Sequence, residues 1–236
     1  VTWLESKGIK FGADLNAYTS TDRTVYRITS VPTANEAVVD SCMLILHDWA
    51  SALLLEDAEI DKERGVIHEE WRLGNAITRM IEKHGAKIYP GSKYGERLPI
   101  GTIEVIDNFK YSELRDYYTK WYRPDLQGIV VVGDIDVDQM EQKIKNLFGP
   151  IKMPANAAPL EYYPVPDNEQ PIFVSHTDKE MPAELVWAFV KYDILPREIR
   201  NSDAQYITDY LFSVADIMLS ERLNELSLKA DAPFGN

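Results

Sequence analysis

Glu59-Ile-Asp-Lys-Glu-Arg-Gly-Val-Ile-His-Glu-Glu-Trp71 is the stretch on which the reading of this chain turns. Its apolar residues recur at helical spacing. With about 100° per residue and Glu59 placed at roughly 260°, Val66, Ile67, Trp71, Leu73 and Ile77 fall between about 220° and 20°. Glu63, near about 300°, and Glu70, near about 280°, fall inside that arc. Asp61, Gly65, His68, Glu69 and Arg72 share the opposite face, where His68 reads as a solvated side chain. A carboxylate aimed into an apolar face needs a partner, a proton or a metal. A structural role, such as pairing with an Arg on a neighbouring element, and a metal or catalytic role are both open at this point. Glu59 points the same way and reads as a local structural pairing.

Outward from this helix, composition sets bounds. The 236 residues can bury one sizeable core or hold one domain and part of another. Hydrophobic residues make up 45% and charged residues 27%, the balance of a globular protein, and no apolar run reaches the length of a membrane span. The formal charge of −13 argues against nucleic acid, whose phosphates would be repelled, and mildly favours cationic ligands or peptides. Cys42 is the sole cysteine, so no intrachain disulfide can form; it reads as a core residue on a helix. Compartment stays open, with periplasm and cytoplasm equally compatible.

Around the acidic helix the elements can be laid out. Val1 to Gly8 reads as the last turns of a helix ended by Gly8, with neither initiator Met nor signal peptide, the expectation for an excised or processed piece. Asp14-Leu-Asn-Ala-Tyr-Thr-Ser20 and Thr24-Val-Tyr-Arg-Ile-Thr-Ser30 are β-rich runs joined as a hairpin. Thr33-Ala-Asn-Glu36 is a capping box opening a helix to about Leu54. The next helix is capped by Asp57 and continues to about Ile88. Ser112 caps a helix to Tyr122, Gly128-Ile-Val-Val-Val-Gly133 reads as a buried strand, and Asp136 caps a helix to about Phe148. Six prolines between Gly149 and Pro171 mark a linker, and beyond it residues 172–177 and 185–192 read as strands before an amphipathic helix from about Ser202 to Lys229. The expected architecture is α+β: a mainly antiparallel sheet packed by long helices over residues 1–150, a linker over 151–170, and the beginning of a second α+β domain over 171–236.

Complete site motifs are absent from the sequence. His47, His68, His84 and His176 are the four histidines, and none has another four or five residues away as a helical zinc pair requires. The glycines at 128 and 133 flank a strand and no Lys-Ser/Thr follows, so they form no phosphate loop; neither a Gly-x-Ser-x-Gly elbow nor EF-hand spacing occurs.

Taken in order, Gly12-Ala-Asp-Leu-Asn-Ala-Tyr-Thr-Ser-Thr-Asp-Arg-Thr-Val-Tyr26, Glu63-Arg-Gly-Val-Ile-His-Glu-Glu-Trp-Arg72, Pro99-Ile-Gly101, Tyr118-Thr-Lys-Trp-Tyr-Arg-Pro124 and Val130-Val-Val-Gly-Asp134 resemble the insulinase/pitrilysin family of zinc metallopeptidases. These enzymes carry an inverted His-x-x-Glu-His motif. The likeness covers nearly all of residues 1–150 and is looser after 171. It implies that Glu70 is the third zinc ligand, that Glu63 supports catalysis from about two turns earlier, and that Asn16, Ala17 and Tyr18 lie on an edge strand that receives the substrate peptide. For Ala17 and Tyr18, ordinary sheet packing is an equally open reading. In the family, the two His ligands and the Glu base sit on a helix that would precede Val1.

The resemblance implies zinc-assisted hydrolysis of peptides or small proteins by the parent protein, through a zinc-activated water and a Glu that moves its proton. The chain departs from the pattern in having no His-x-x-Glu-His, so the fragment itself is expected to be inactive and without zinc. Homodimerisation through an exposed fold edge, or pairing with a second family half, is the expected association. The competing reading is a non-catalytic insulinase-like homologue that serves as a structural or substrate-presenting partner. Inward carboxylates favour the peptidase, because a partner protein has no use for them.

Overall fold

The computed structural model describes residues 2–182, 184–193, 195–232 and 234. They fall into two compact units, Val1–Glu184 and Leu185–Asn236. Helices dominate, with a small antiparallel sheet, so the α+β class holds.

The first unit opens on a short helix α1 (Thr2–Glu5), which Gly8 ends at φ 93°, a left-handed turn that favours glycine. Strands β1 (Leu15–Thr19) and β2 (Thr24–Ile28) then pair antiparallel, in the register Leu15↔Ile28, Ala17↔Tyr26 and Thr19↔Thr24. Alternation places Leu15, Tyr26 and Ile28 on one face. That face meets α2 (Glu36–Ser51), where Leu4, Ile9, Leu15, Val38 and Cys42 form the buried cluster, backed by Ile28, Val31, Ile45 and Trp49. Full burial of a side chain such as Ile9 contributes about 2 kcal/mol. Tyr26 lies 5.3 Å from Trp49 between ring centroids and shares a 2.6 Å hydroxyl hydrogen bond with Tyr122. Burial and that bond push its phenol well above the usual tyrosine range.

Several boundaries differ from expectation. Helix α2 is capped by Asn35, whose side chain accepts from the Val38 N–H, rather than by a box at Thr33; it stops at Ser51, and Leu54 is exposed. The single helix expected from Asp57 to about Ile88 is two, α3 (Asp57–Arg72) and α4 (Ala76–Ile88). Asp57 is the first helical residue, with Glu56 in the cap position. Between the two helices Leu73 and Gly74 donate back to Glu69 and Trp71, and Asn75 restarts the helix by accepting from the Thr78 N–H at 3.0 Å. A Gly-Asn pair combines a residue that weakens helices with a strong cap, which explains the break.

Beyond α4 come α5 (Lys93–Glu96), α6 (Ile103–Asn108), α7 (Tyr111–Trp121) and α8 (Val137–Phe148). Helix α7 starts before the expected Ser112, because the Glu113 carboxylate accepts the Lys110 N–H at 2.7 Å. Asp136 caps α8 as expected, accepting from Gln139 N–H at 2.9 Å. The segment 128–133 is extended but not a buried strand: Val130 and Val132 are 84% and 90% exposed. A strand requires a neighbour for its N–H and C=O groups, and among the described residues none pairs with it. The same holds for 172–177, where Ile172, Val174 and His176 are half-buried and Phe173 is exposed, a period-two pattern without a ladder.

In the second unit the described residues of 185–192 likewise form no strand and are mostly exposed. Helix α9 (Asp203–Ser227) follows close to the expected bounds, capped by Ser202, and Tyr192 stacks on Phe212 with centroids 5.9 Å apart.

Candidate active-site face

Helix α3 buries only part of its apolar arc: Ile60 is its buried residue. Glu63 and Glu70 are exposed, as are Val66, Trp71 and Leu73 beside them. Neither carboxylate makes a hydrogen bond or ion pair with the described residues. The reading that they point inward is therefore corrected: they lie in the apolar arc, but only one edge of that arc is covered, where Ile60 is buried and Ile67 half-buried.

The packed side of α3 is the one that carries Ile60, which is buried, and Arg64. Arg64 donates from Nη1 to the Ile106 carbonyl and from Nη2 to the Phe109 carbonyl at 2.7 Å, with its guanidinium carbon 3.8 Å from the Phe109 ring centroid. A cation at the last carbonyls of α6 satisfies acceptors that the helix leaves unpaired and complements its dipole. Arg64 also pairs with Asp61 at 3.2 Å, and Tyr111 donates to the other Asp61 oxygen at 2.7 Å. The Tyr111 and Arg64 bonds hold the Asp61 carboxyl below the usual carboxylate range. His68, expected to be solvated, shares a 2.6 Å hydrogen bond between Nε2 and Asp107 Oδ1. The largely buried Arg64 guanidinium is tolerated because it is bonded, and no count of apolar residues along the helix announces it.

The local pairs behave as expected on the outer turns. Lys62 holds Glu59 at 2.5 Å, and Arg72 holds Glu69 at 2.7 Å, lowering the Glu69 carboxyl below its usual range. A shallow cleft next to this helix is lined by His68, Glu69, Trp71, Arg72, Glu82 and Ile103. Glu63 and Glu70 stay outside it.

The second candidate element is the edge of β1. Asp14 O accepts from Thr29 N–H and Ser20 N–H donates to Arg23 O, so the Asn16↔Arg27 and Tyr18↔Val25 pairs between them share the ladder bonds. The Ala17 N–H and C=O consequently face away from β2, towards the open edge. There the Asn16 side chain stands in for a neighbour, accepting the Ala17 N–H at Oδ1 over 2.8 Å and donating from Nδ2 to Gly12 O at 2.9 Å. Asn16, Ala17 and Tyr18 are all exposed.

A structural zinc-like site held by protein alone takes four ligands, and a catalytic one three. Among the described residues no group of three or more His, Cys, Asp or Glu side chains converges. The residues present do not fit a complete zinc centre.

Residues 4–82 match the family described as Insulinase (Peptidase family M16), and residues 108–228, just over half the chain, match its Peptidase M16 inactive domain. This chain belongs to the insulinase family. The insulinase-family chain is 34% identical over 224 residues to a probable zinc protease PqqL of Escherichia coli, covering 94% of this chain and 23% of that protein. It is 31% identical over 240 residues to a zinc protease PQQL-like protein of Arabidopsis thaliana, covering 99% of this chain and 24% of that one. Among solved structures, the first half of the periplasmic protease PqqL from Escherichia coli superposes with a TM-score of 0.63 at 36% identity, over 70% of this chain and 35% of that one. The chain thus spans about a quarter of the length of these curated relatives.

Sequence reasoning missed Arg64 and Arg79. Arg79 bonds Asp178 through Nε and Nη2 at 2.7 and 2.8 Å, Glu180 at 2.7 Å, and the Gly74 carbonyl at 2.5 Å. It holds Asp178 down to about 2 and ties the α3–α4 junction to a segment 99 residues away. No periodicity or motif announces a pair at that separation.

Proposed function

We propose that this chain is part of a zinc-dependent metallopeptidase that hydrolyses bonds in peptides or small proteins, and that by itself it is inactive. The observation that carries this reading is the pair Glu63 and Glu70: two exposed carboxylates two turns apart on α3 that bond none of the described residues. Exposed and bonded to none of the described residues, both are open to a ligand or an incoming cation. Glu70 would supply one zinc ligand and Glu63 would orient groups around it by hydrogen bonding. The other ligands are not in this sequence, which contains no His-x-x-Glu-His, so no reaction step is assigned here. Asn16, Ala17 and Tyr18 would take an extended peptide along β1, with the Asn16 amide yielding the Ala17 N–H to the incoming strand. The zinc-protease names of the relatives support the same reading.

Zinc content and peptide hydrolysis by the full-length parent test it. Glu70→Gln should lose both, Glu63→Gln should keep zinc and lower kcat, and Glu69→Gln, whose carboxylate is already held by Arg72, should change neither. Retention of stoichiometric zinc and activity by Glu70→Gln would overturn the assignment. One observation favours the second reading, a non-catalytic partner that presents substrate or supports a complex: the match of residues 108–228 to an inactive domain. That reading expects Glu70→Gln to leave binding of the partner unchanged and no zinc in the wild type.

A further inference from the structure

His84 on α4 and His176 meet edge to face, with ring centroids 5.3 Å apart and planes at 76°. Their Nε2 atoms are buried, and neither has a hydrogen-bond partner among the described residues. Two imidazoles in this arrangement fit together when neutral. Protonation puts an N–H on every ring nitrogen, leaves a buried donor without an acceptor, and sets a charge against the facing ring.

The groups around the pair are unequal. From α4, Lys83 and Lys87 act against a proton on His84, and burial and His176 act in the same sense, so His84 is held below the usual histidine range. From the other side, Asp178 lies two residues beyond His176, where Arg79 engages it through two nitrogens and also takes Glu180, and His176 adds a weaker attraction that lowers the Asp178 carboxyl. Those carboxylates are committed to a cation that does not titrate in the physiological range. The contact between α4 and residues 172–180 therefore includes an Arg79 ion pair that is constant across ordinary pH and a ring contact whose His84 titrates below the usual histidine range.

We propose that the His84–His176 contact is a pH-sensitive latch, which holds residues 172–180 on α4 near neutral pH and releases them as the solution becomes mildly acidic. The sign follows from linkage. A histidine whose folded pKa is lowered stabilises the closed form above its unfolded pKa, and that contribution is lost as pH falls from there towards the folded value. The Arg79 clamp remains, so release is local, and the hairpin and α2 core, which contain neither histidine, stay folded.

The test is amide hydrogen exchange on the full chain, corrected for intrinsic rates, read at about pH 7.5 and about pH 5 across the usual histidine transition. Protection of peptides spanning 172–182 should fall severalfold on acidification while that of 36–51 holds. His84→Gln and His176→Gln should each abolish most of the pH difference, and Asp178→Asn should lower protection equally at both pH values. If the histidine variants do not fold, the imidazole titrations of the wild type decide by NMR. His84 must then titrate below 6.5, with amide shifts of 172–180 following its midpoint. Equal protection at both pH values, or a His84 midpoint at or above 6.5, overturns the latch.

Discussion

Replacing Arg64 by Met removes the group that fastens α3 to the α6–α7 corner while keeping an unbranched apolar stem. The side chain is 17% exposed and donates to two backbone carbonyls, Ile106 and Phe109, as well as stacking on Phe109. A hydrogen bond from a charged donor contributes about 1.5–3 kcal/mol, and the ring contact about 0.5–1 kcal/mol. The Asp61 pair is half-exposed on the carboxylate side and adds less than about 1 kcal/mol. These terms share one guanidinium and do not add fully, so the expected loss is about 3 kcal/mol. For a chain of this size that corresponds to a fall in Tm of roughly 6–12 °C. Urea unfolding followed by circular dichroism measures it. Arg64→Lys should recover only part of the loss, because an ammonium cannot serve two divergent carbonyls as a planar fork does. A loss below about 0.5 kcal/mol for Arg64→Met, in the range of ordinary surface substitutions, would refute the claim that Arg64 anchors α3 to the α6–α7 corner.

The remaining predictions are smaller. Gly85→Ala would place a Cβ 2.6 Å from the Gly95 carbonyl oxygen, and the backbone contact between α4 and α5 should cost about 1–3 kcal/mol. Gly65→Ala, with nothing within 4 Å of its Cβ, should instead stabilise α3 by up to about 1 kcal/mol. Asp14 accepts from Ser30 Oγ at 2.6 Å and from Lys10 N–H at 2.8 Å, bonds that lower its pKa from 3.8. Its contribution is present above 3.8 and is lost as pH falls through the folded value; Asp14→Asn should remove that part of the acid dependence in a melting series. Asp136→Ala should cost about 1 kcal/mol by freeing the Gln139 N–H at the start of α8, readable by urea unfolding.

Features that depend on near neighbours in the chain were legible from residues alone. The hairpin, the Gly8 stop and the Asp136 cap each rest on a few adjacent positions whose conformational preferences are intrinsic. Family membership was legible for a related reason, since ordered motifs survive in the sequence whether or not their surroundings are present. The helix wheel placed Glu63 and Glu70 together with Val66 and Trp71, and that grouping holds.

What only the tertiary structure decided is which side of each element is covered. Periodicity reports that a face is apolar; it does not report whether anything lies against it. In α3 Ile60 and the Arg64 guanidinium take the interior side, the latter because the Ile106 and Phe109 carbonyls accept its protons, while Val66, Trp71 and Leu73 stay exposed with the two carboxylates. The segment 128–133 shows the same principle in a strand, where valines suited to burial stand exposed without a paired neighbour. Long-range pairs such as Arg79 with Asp178 and His84 with His176 depend on chain closure across more than ninety residues, and no local preference encodes them.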